Sequence, residues 1–199
     1  MIMTRFTLFT LVCLLCTITG CAGKPVNPTI SFMMGTSANA SGGSGELFIG
    51  SSSKAVVGTS IGRLRDSDGR PVGDILTTTA LDAMMLHSFR NEMKSAGYTV
   101  SSGDTVPPTA AKAIELGNLD LTLDQVKGVT RDEAKCAMGI AVKVYKNGVM
   151  VRKLTYEARN SNVAVRDRDD LAQTVFDTSL SSILRQAVPE SIAILEQQQ

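Results

Sequence analysis

The chain has no tryptophan, a single histidine and almost no net charge, and each shortage removes a class of function. Lys and Arg number 20 against 19 Asp and Glu, so the chain lacks the basic surplus that nucleic-acid binding draws on. One imidazole, His87, leaves little for histidine metal sites or acid–base relays. The N-terminal apolar run, Phe6 to Cys16, falls short of the ~20 residues that cross a bilayer as a helix. What remains suits a folded domain. With 43% hydrophobic and 20% charged residues in 199, the chain can bury one core and is no disordered polyelectrolyte.

That short apolar run is itself informative. Arg5 precedes it, and Ile18-Thr19-Gly20-Cys21 ends it. A basic start, a core of this length and small residues before a cysteine are the layout of an export signal. The tetrapeptide resembles a bacterial lipobox: small residues admit the peptidase between Gly20 and Cys21, and the Cys21 thiol accepts lipid. Residues 1–20 are therefore expected to be cleaved. Their loss removes Arg5 and no acid, which leaves 19 basic against 19 acidic residues. Cys13 and Cys16 depart with the signal, so Cys136 is the one remaining thiol and no internal disulfide can form. Several acyl chains on Cys21 suffice for stable membrane anchoring. Ala22, in place of Asp, points to the outer membrane.

Residues 21–54 read as a lipidated N-terminus and flexible tether. Pro25, Pro28 and the small-residue stretch Gly35 to Gly45 carry that signal. Two apolar islands, Ile30 to Met34 and Leu47 to Ile49, interrupt it and are expected to dock onto the domain, the preferred reading, or onto a partner. Residues 55–199 read as one periplasmic α+β domain.

Within it, Ala55 to Leu64 is β-rich and closed by the turn formers Asp66-Ser67-Asp68-Gly69-Arg70-Pro71. A helix begins near Thr79, with Asp82 in a capping-box position, and buries Leu81, Met85, Phe89 and Met93. Gly97 is placed to end it, with Tyr98 packing back. Ile114 to Leu123 is a strand whose phase changes at Gly117-Asn118, the mark of a bulge. Cys136, Met138, Ile140, Val142 and Val144 share one face of the next strand, and Asn147-Gly148 reverses the chain. A two-residue loop would turn Leu154 and Tyr156 to the opposite face. A three-residue loop, Lys146 to Gly148, pairs Val144 with Met150 and Ile140 with Leu154, and is preferred because it gathers the large residues together. The last helix spans Asp169 to Ala187, with Pro189 breaking it. The expected fold class is α+β: two layers, a mostly antiparallel four-stranded sheet with two main helices on one face, in the order β-α-β-β-β-α.

This order resembles the YajG-like outer-membrane lipoproteins. The resemblance rests on Cys21, on the polar turn with Asp68 and Arg70, and on the helix ending Lys94-Ser95-Ala96-Gly97-Tyr98-Thr99-Val100. The strand-turn-strand at Asn147-Gly148 and the long final helix complete it; the Gly/Ser tether and Met-rich first helix depart from the usual pattern. It implies fold and envelope location, and an architecture related to auxiliary lipoproteins of envelope transport systems.

No motif compels chemistry. Gly58-Thr59-Ser60-Ile61-Gly62 matches G-x-S-x-G, but a nucleophile elbow needs a strand-turn-helix setting and a histidine base. His87 lies 27 residues on, inside a helix. Asp66, Asp68 and Asp74 suggest calcium until Arg70 and Thr77 fall at ligand positions of an EF-hand loop. Arg166 to Asp170 reads as a solvated helix start. Met33, Met34, Met84, Met85, Met93, Met138 and Met150 could line a groove, though core filling is simpler. The expectation is a non-enzymatic lipoprotein, without cofactor or metal, held in the outer membrane by Cys21 and binding an envelope protein partner. The alternative is a module for lipid or peptidoglycan fragments, and the remote alternative a hydrolase using Ser60.

Overall fold

The structure is a computed structural model and describes residues 27–31, 38–51 and 60–197, with the backbone alone at Asn118. Gly20 and Cys21 lie outside the described residues, as do Met33, Met34 and the 55–59 part of the expected first strand. Among the described residues eight strands form one sheet: β1 (Thr29–Ile30), β2 (Glu46–Ser51), β3 (Ser60–Arg65), β4 (Pro71–Thr77), β5 (Thr99–Gly103), β6 (Lys112–Lys127), β7 (Asp132–Lys146) and β8 (Val149–Ala164). Helix α1 (Leu81–Ser95) lies between β4 and β5. A short 3-10 turn, Arg168–Asp170, leads into α2 (Leu171–Glu196).

The α+β class stands, but the four-stranded, mostly antiparallel sheet does not. β6 is the organising strand. Along one edge it pairs antiparallel with β7, which pairs antiparallel with β8. Along the other edge it takes two parallel partners in succession, β2 at Ala113 to Leu116 and β3 at Leu123 to Val126. β5 extends the sheet beyond β2, and β4 then β1 extend it beyond β3. The additional strands escape sequence reading for a physical reason. β5 is short and rich in Gly and Ser, β4 follows a turn but carries Gly73 and Asp74 at inner positions, and the parallel partners β2 and β5 are not joined by a local turn that would betray them.

Leu47 and Ile49 dock as expected, as part of β2, and are 1% and 0% exposed. The sheet thus takes in residues upstream of 55. The glycine-rich stretch before β2 is also engaged: Gly43 N–H donates to the Ala96 carbonyl, and Ala38 N–H to Glu92 Oε2.

Helix α1 buries Met84, Met85, Phe89 and Met93, while Leu81 is half-buried. The N-cap residue is Ala80, which makes no side-chain cap, and the Thr77 hydroxyl closes a turn on Thr79 just before it. Its end is a Schellman closure. Gly97 sits at φ 115, its N–H donates to Lys94 and the N–H of Tyr98 donates to Met93. The expected bulge in β6 falls between Leu116 and Leu119. It brings Ile114, Leu116, Leu119, Leu121 and Leu123 opposite the buried Val144, Val142, Ile140, Met138 and Cys136.

The β7–β8 hairpin corrects the preferred register. Asn147 and Gly148 both have positive φ, 50 and 74, and form a two-residue turn that pairs Lys146 with Val149. A register shift after Tyr145↔Met150 then pairs Val144 with Arg152, Val142 with Leu154 and Ile140 with Tyr156. Leu154 and Tyr156 keep the expected side, with partners displaced by two residues. Asn-Gly readily adopts the paired positive φ of the tight turn, and the bulge restores the parity that the core requires.

Helix α2 runs straight through Pro189, contrary to the expected break. An interior proline removes one hydrogen bond and costs about 3 kcal/mol. Ala187 and Val188 before it, and Ser191, Ile192 and Leu195 after it, are all buried, and apolar burial at about 1.5–3 kcal/mol per large side chain offsets that cost. Both helices pack on one face of the sheet and against each other.

Candidate functional site

Strand alternation decides which side of the sheet can meet another molecule. In β7 the even positions from Ala134 to Val144 point into the core beneath α2. The odd positions face the side that, among the described residues, carries no helix, and three in succession are small: Ala137, Gly139 and Ala141. Asp120 and Thr122 of β6 flank this floor on one side, and Thr155, Glu157 and Arg159 of β8 on the other. They enclose an open groove of about 460 Å³. Large side chains on the neighbouring strands and small ones on the central strand make the depression.

Charge is arranged at its ends. Glu115 accepts from Lys143 Nζ at 2.7 Å and from the Tyr145 hydroxyl at 2.7 Å. Those donors hold the Glu115 carboxyl below its ordinary value, and the carboxylate together with burial pushes the Tyr145 phenol up to about 12. At the other end Arg65 pairs with Asp124 at 3.2 Å, and on β8 Arg159 meets Glu157 at 3.7 Å. The result is a neutral, small-residue floor with exposed threonines and ion pairs around it. That chemistry suits an extended or flat partner and supplies no nucleophile with its base.

The residues singled out from sequence lie elsewhere. Ser60, at the start of β3, donates to the Gly62 carbonyl at 3.1 Å and to Asp74 Oδ1 at 3.2 Å. His87 is on α1, so the two are not a pair on one sharp turn. Gly62 has a structural duty: a Cβ there would sit 2.1 Å from the Leu123 carbonyl oxygen, so the close approach of β3 to β6 needs glycine. Asp66 Oδ1 accepts the N–H groups of Asp68 and Arg70, as a turn residue does. Among the described residues no group of three or more His, Cys, Asp or Glu could hold a metal. Cys136 is buried, and burial raises its thiol pKa. Met84, Met85, Met93 and Met138 fill the core.

Sequence reading missed two features. The first is the groove floor, legible only as the small residues that alternate with the buried stripe of β7. The second is a polar cluster in which Glu196, on the last turn of α2, accepts from Tyr98 Oη at 2.6 Å, from Lys112 Nζ at 2.7 Å and from Ser44 N at 3.2 Å. Lys112 also donates to the Ser44 carbonyl and lies over the Tyr98 ring, 5.6 Å from its centre. Lysine and tyrosine together draw the Glu196 carboxyl down to about 2. Burial, more than the carboxylate, drives the Tyr98 phenol upward. The cluster ties the strap before β2 to the end of the last helix, a structural duty.

No family model and no curated protein matches this chain. Solved structures do. A DUF330 protein from Xanthomonas campestris superposes with a TM-score of 0.53 at 8% identity, over 83% of this chain and 94% of that one. The two share a fold. A neuraminyllactose-binding hemagglutinin homolog from Helicobacter pylori (TM-score 0.44, 6% identity, 82% of this chain and 95% of that one) is also similar. So is rare lipoprotein B from Shewanella oneidensis (0.35, 12%, 67% and 92%). Among the described residues no helix is long and apolar enough to cross a membrane.

Proposed function

We propose that this chain is a non-enzymatic, lipid-anchored lipoprotein of the bacterial envelope, whose α+β domain binds an envelope protein through the helix-free face of its sheet. The observation that carries the reading is the one-sided coverage of that sheet among the described residues, with a shaped groove over Ala137, Gly139 and Ala141 on the other side. Cys21 is its lipid acceptor, Gly20-Cys21 its cleavage point, the outer membrane its location and the periplasm the side it faces. The resemblance to YajG-like lipoproteins belongs to the same proposal, and the lipoprotein among the similar structures agrees with it without carrying it.

Met84, Met85, Met93 and Met138, four of the methionines that a lipid-fragment groove between helices and sheet would use, are packed in the core, which weighs against that alternative. The Ser60 hydroxyl is committed to the Gly62 carbonyl and the Asp74 carboxylate on the β3–β4 hairpin, a setting unlike the strand-turn-helix elbow of a hydrolase. The test is in-cell photo-crosslinking from the groove rim. A cross-linker at Thr155 or Glu157 should capture a discrete envelope protein, and one at Thr178 or Gln186, exposed on α2, should not. Equal capture from both faces, or none from the rim, refutes the docking face. Cys21→Ser should leave an uncleaved precursor or release the domain, and unaltered processing and retention refute the anchor.

A further inference from the structure

The end of the sheet nearest the lipidation point displays apolar side chains on a braced loop, and we infer that this end sits against the bilayer that holds Cys21. The inference rests on the lipid anchor proposed above. At the β6–β7 loop Val129 is 89% exposed; at the end of β8 and just beyond, Val163 and Val165 are 49% and 67% exposed. These positions lie together, since Asp132 pairs with both Lys127 and Ala164.

The display is built from one guanidinium. Arg168 donates to the carbonyls of Gly128 at 3.2 Å, Val129 at 3.4 Å, Thr130 at 2.7 Å and Val165 at 3.1 Å. It also faces Asp132, whose side chain is 3% exposed and accepts the Gly128 N–H. Gln125 donates to both Asp132 and the Arg168 carbonyl. A planar fork with donors in fixed directions can hold several carbonyls at once. Here it joins the β6–β7 loop to the segment after β8, with Val129 and Val165 left to solvent.

Chain length selects the occupant. Asn27 approaches Gly73 of β4, and β1 runs parallel to β4. Through the register, Gly73 shares a row with Leu64 and Gln125, about 7 Å along the strands from Lys127. Cys21 precedes Asn27 by six residues, which reach at most about 20 Å. The opposite end, at Lys112 and the Asn147-Gly148 turn, is about 40 Å from that row. Sideways, β1 lies three strands, about 14 Å, from β6, so Cys21 reaches the level of the Val129 loop, whereas the end with Val149 and Met150 lies beyond its span. Lys127, Arg131 and Arg166 are interspersed with Glu133, Asp167 and Asp169 here, so the contact rests on apolar side chains in the interface and not on attraction to anionic lipid. Acyl chains supply retention; the valines set which end of the domain faces the bilayer and leave the groove accessible from the side.

The test uses the full chain, processed in its host and reconstituted into vesicles of phosphatidylethanolamine and phosphatidylglycerol with a share of nitroxide-labelled lipid. Val129→Cys, Val165→Cys and Val149→Cys each take an environment-sensitive thiol label, and the parent chain with buried Cys136 is the blank. Labels at 129 and 165 should be quenched several-fold more than the label at 149, to the same extent at low and high salt. Equal quenching at all three positions, or none at 129 and 165, overturns the inference, and quenching abolished by salt replaces the apolar contact with an electrostatic one and overturns it too. Vesicle flotation separates the two readings. A parent chain that floats only with Cys21 intact keeps the anchor even if the labels stay bright; a parent chain that does not float removes anchor and inference together.

Discussion

Replacing Glu196 by glutamine probes the cluster that fastens the strap to the last helix. The carboxylate accepts from Lys112, Tyr98 and Ser44, and its pKa falls from an ordinary 4.5 to about 2, chiefly through Lys112 and then Tyr98. At about 1.36 kcal/mol per pKa unit the shift is worth at most about 3 kcal/mol. The Glu196 side chain is 28% exposed, so solvent screening brings the expected contribution to about 2 kcal/mol. Glutamine keeps an acceptor but loses the ion pair. In a domain of this size Glu196→Gln should lower the melting temperature at pH 7 by roughly 4–8 °C. The sign of the pH dependence follows from a depressed folded-state pKa. Stabilisation is complete above about pH 4.5, shrinks as the pH falls and vanishes below about pH 2. The gap between parent and variant, followed by circular dichroism, should therefore lose more than half its size by about pH 3, because glutamine does not titrate. No gap at pH 7, or one that persists unchanged into acid, refutes the reasoning.

Three further outcomes follow from the geometry. Gly62→Ala forces a Cβ against the Leu123 carbonyl and should destabilise the domain by about 2 kcal/mol; an unchanged melting temperature would contradict the β3–β6 pairing. Deleting residues 38–45 removes the contacts of Gly43 with Ala96 and of Ser44 with Glu196, so thermal unfolding should fall by several degrees, whereas an unchanged transition would restore a purely flexible tether. Ser60→Ala loses only exposed hydrogen bonds; stability should hold to within about 0.5 kcal/mol, and an ester-hydrolysing activity that disappeared with it would revive the hydrolase reading.

Local physics was legible in the chain. The four-residue spacing of Met85, Phe89 and Met93 specifies α1, and Gly97 its Schellman closure, because both act between residues within a turn or two of each other. The phase change at Gly117-Asn118 announces the bulge in β6, and Asn147-Gly148 announces a tight hairpin, though not the compensating bulge that sets its partners. The expected export signal and Cys21 also rest on contiguous residues.

Tertiary structure decided the rest. Glu46 pairs with Thr99 and Gly62 with Leu123, parallel contacts across more than fifty residues with no turn between them to announce the pairing. Short strands with glycine and serine, such as β5, take their conformation from the strand beside them, since their own preference is weak. Pro189 breaks a helix in isolation but not one whose flanking residues are buried on both sides. The Arg168 clamp, the walls that β6 and β8 add to the groove and the Glu196 cluster each join residues distant in sequence; they exist only once the sheet has brought those segments together, and no local pattern encodes that meeting.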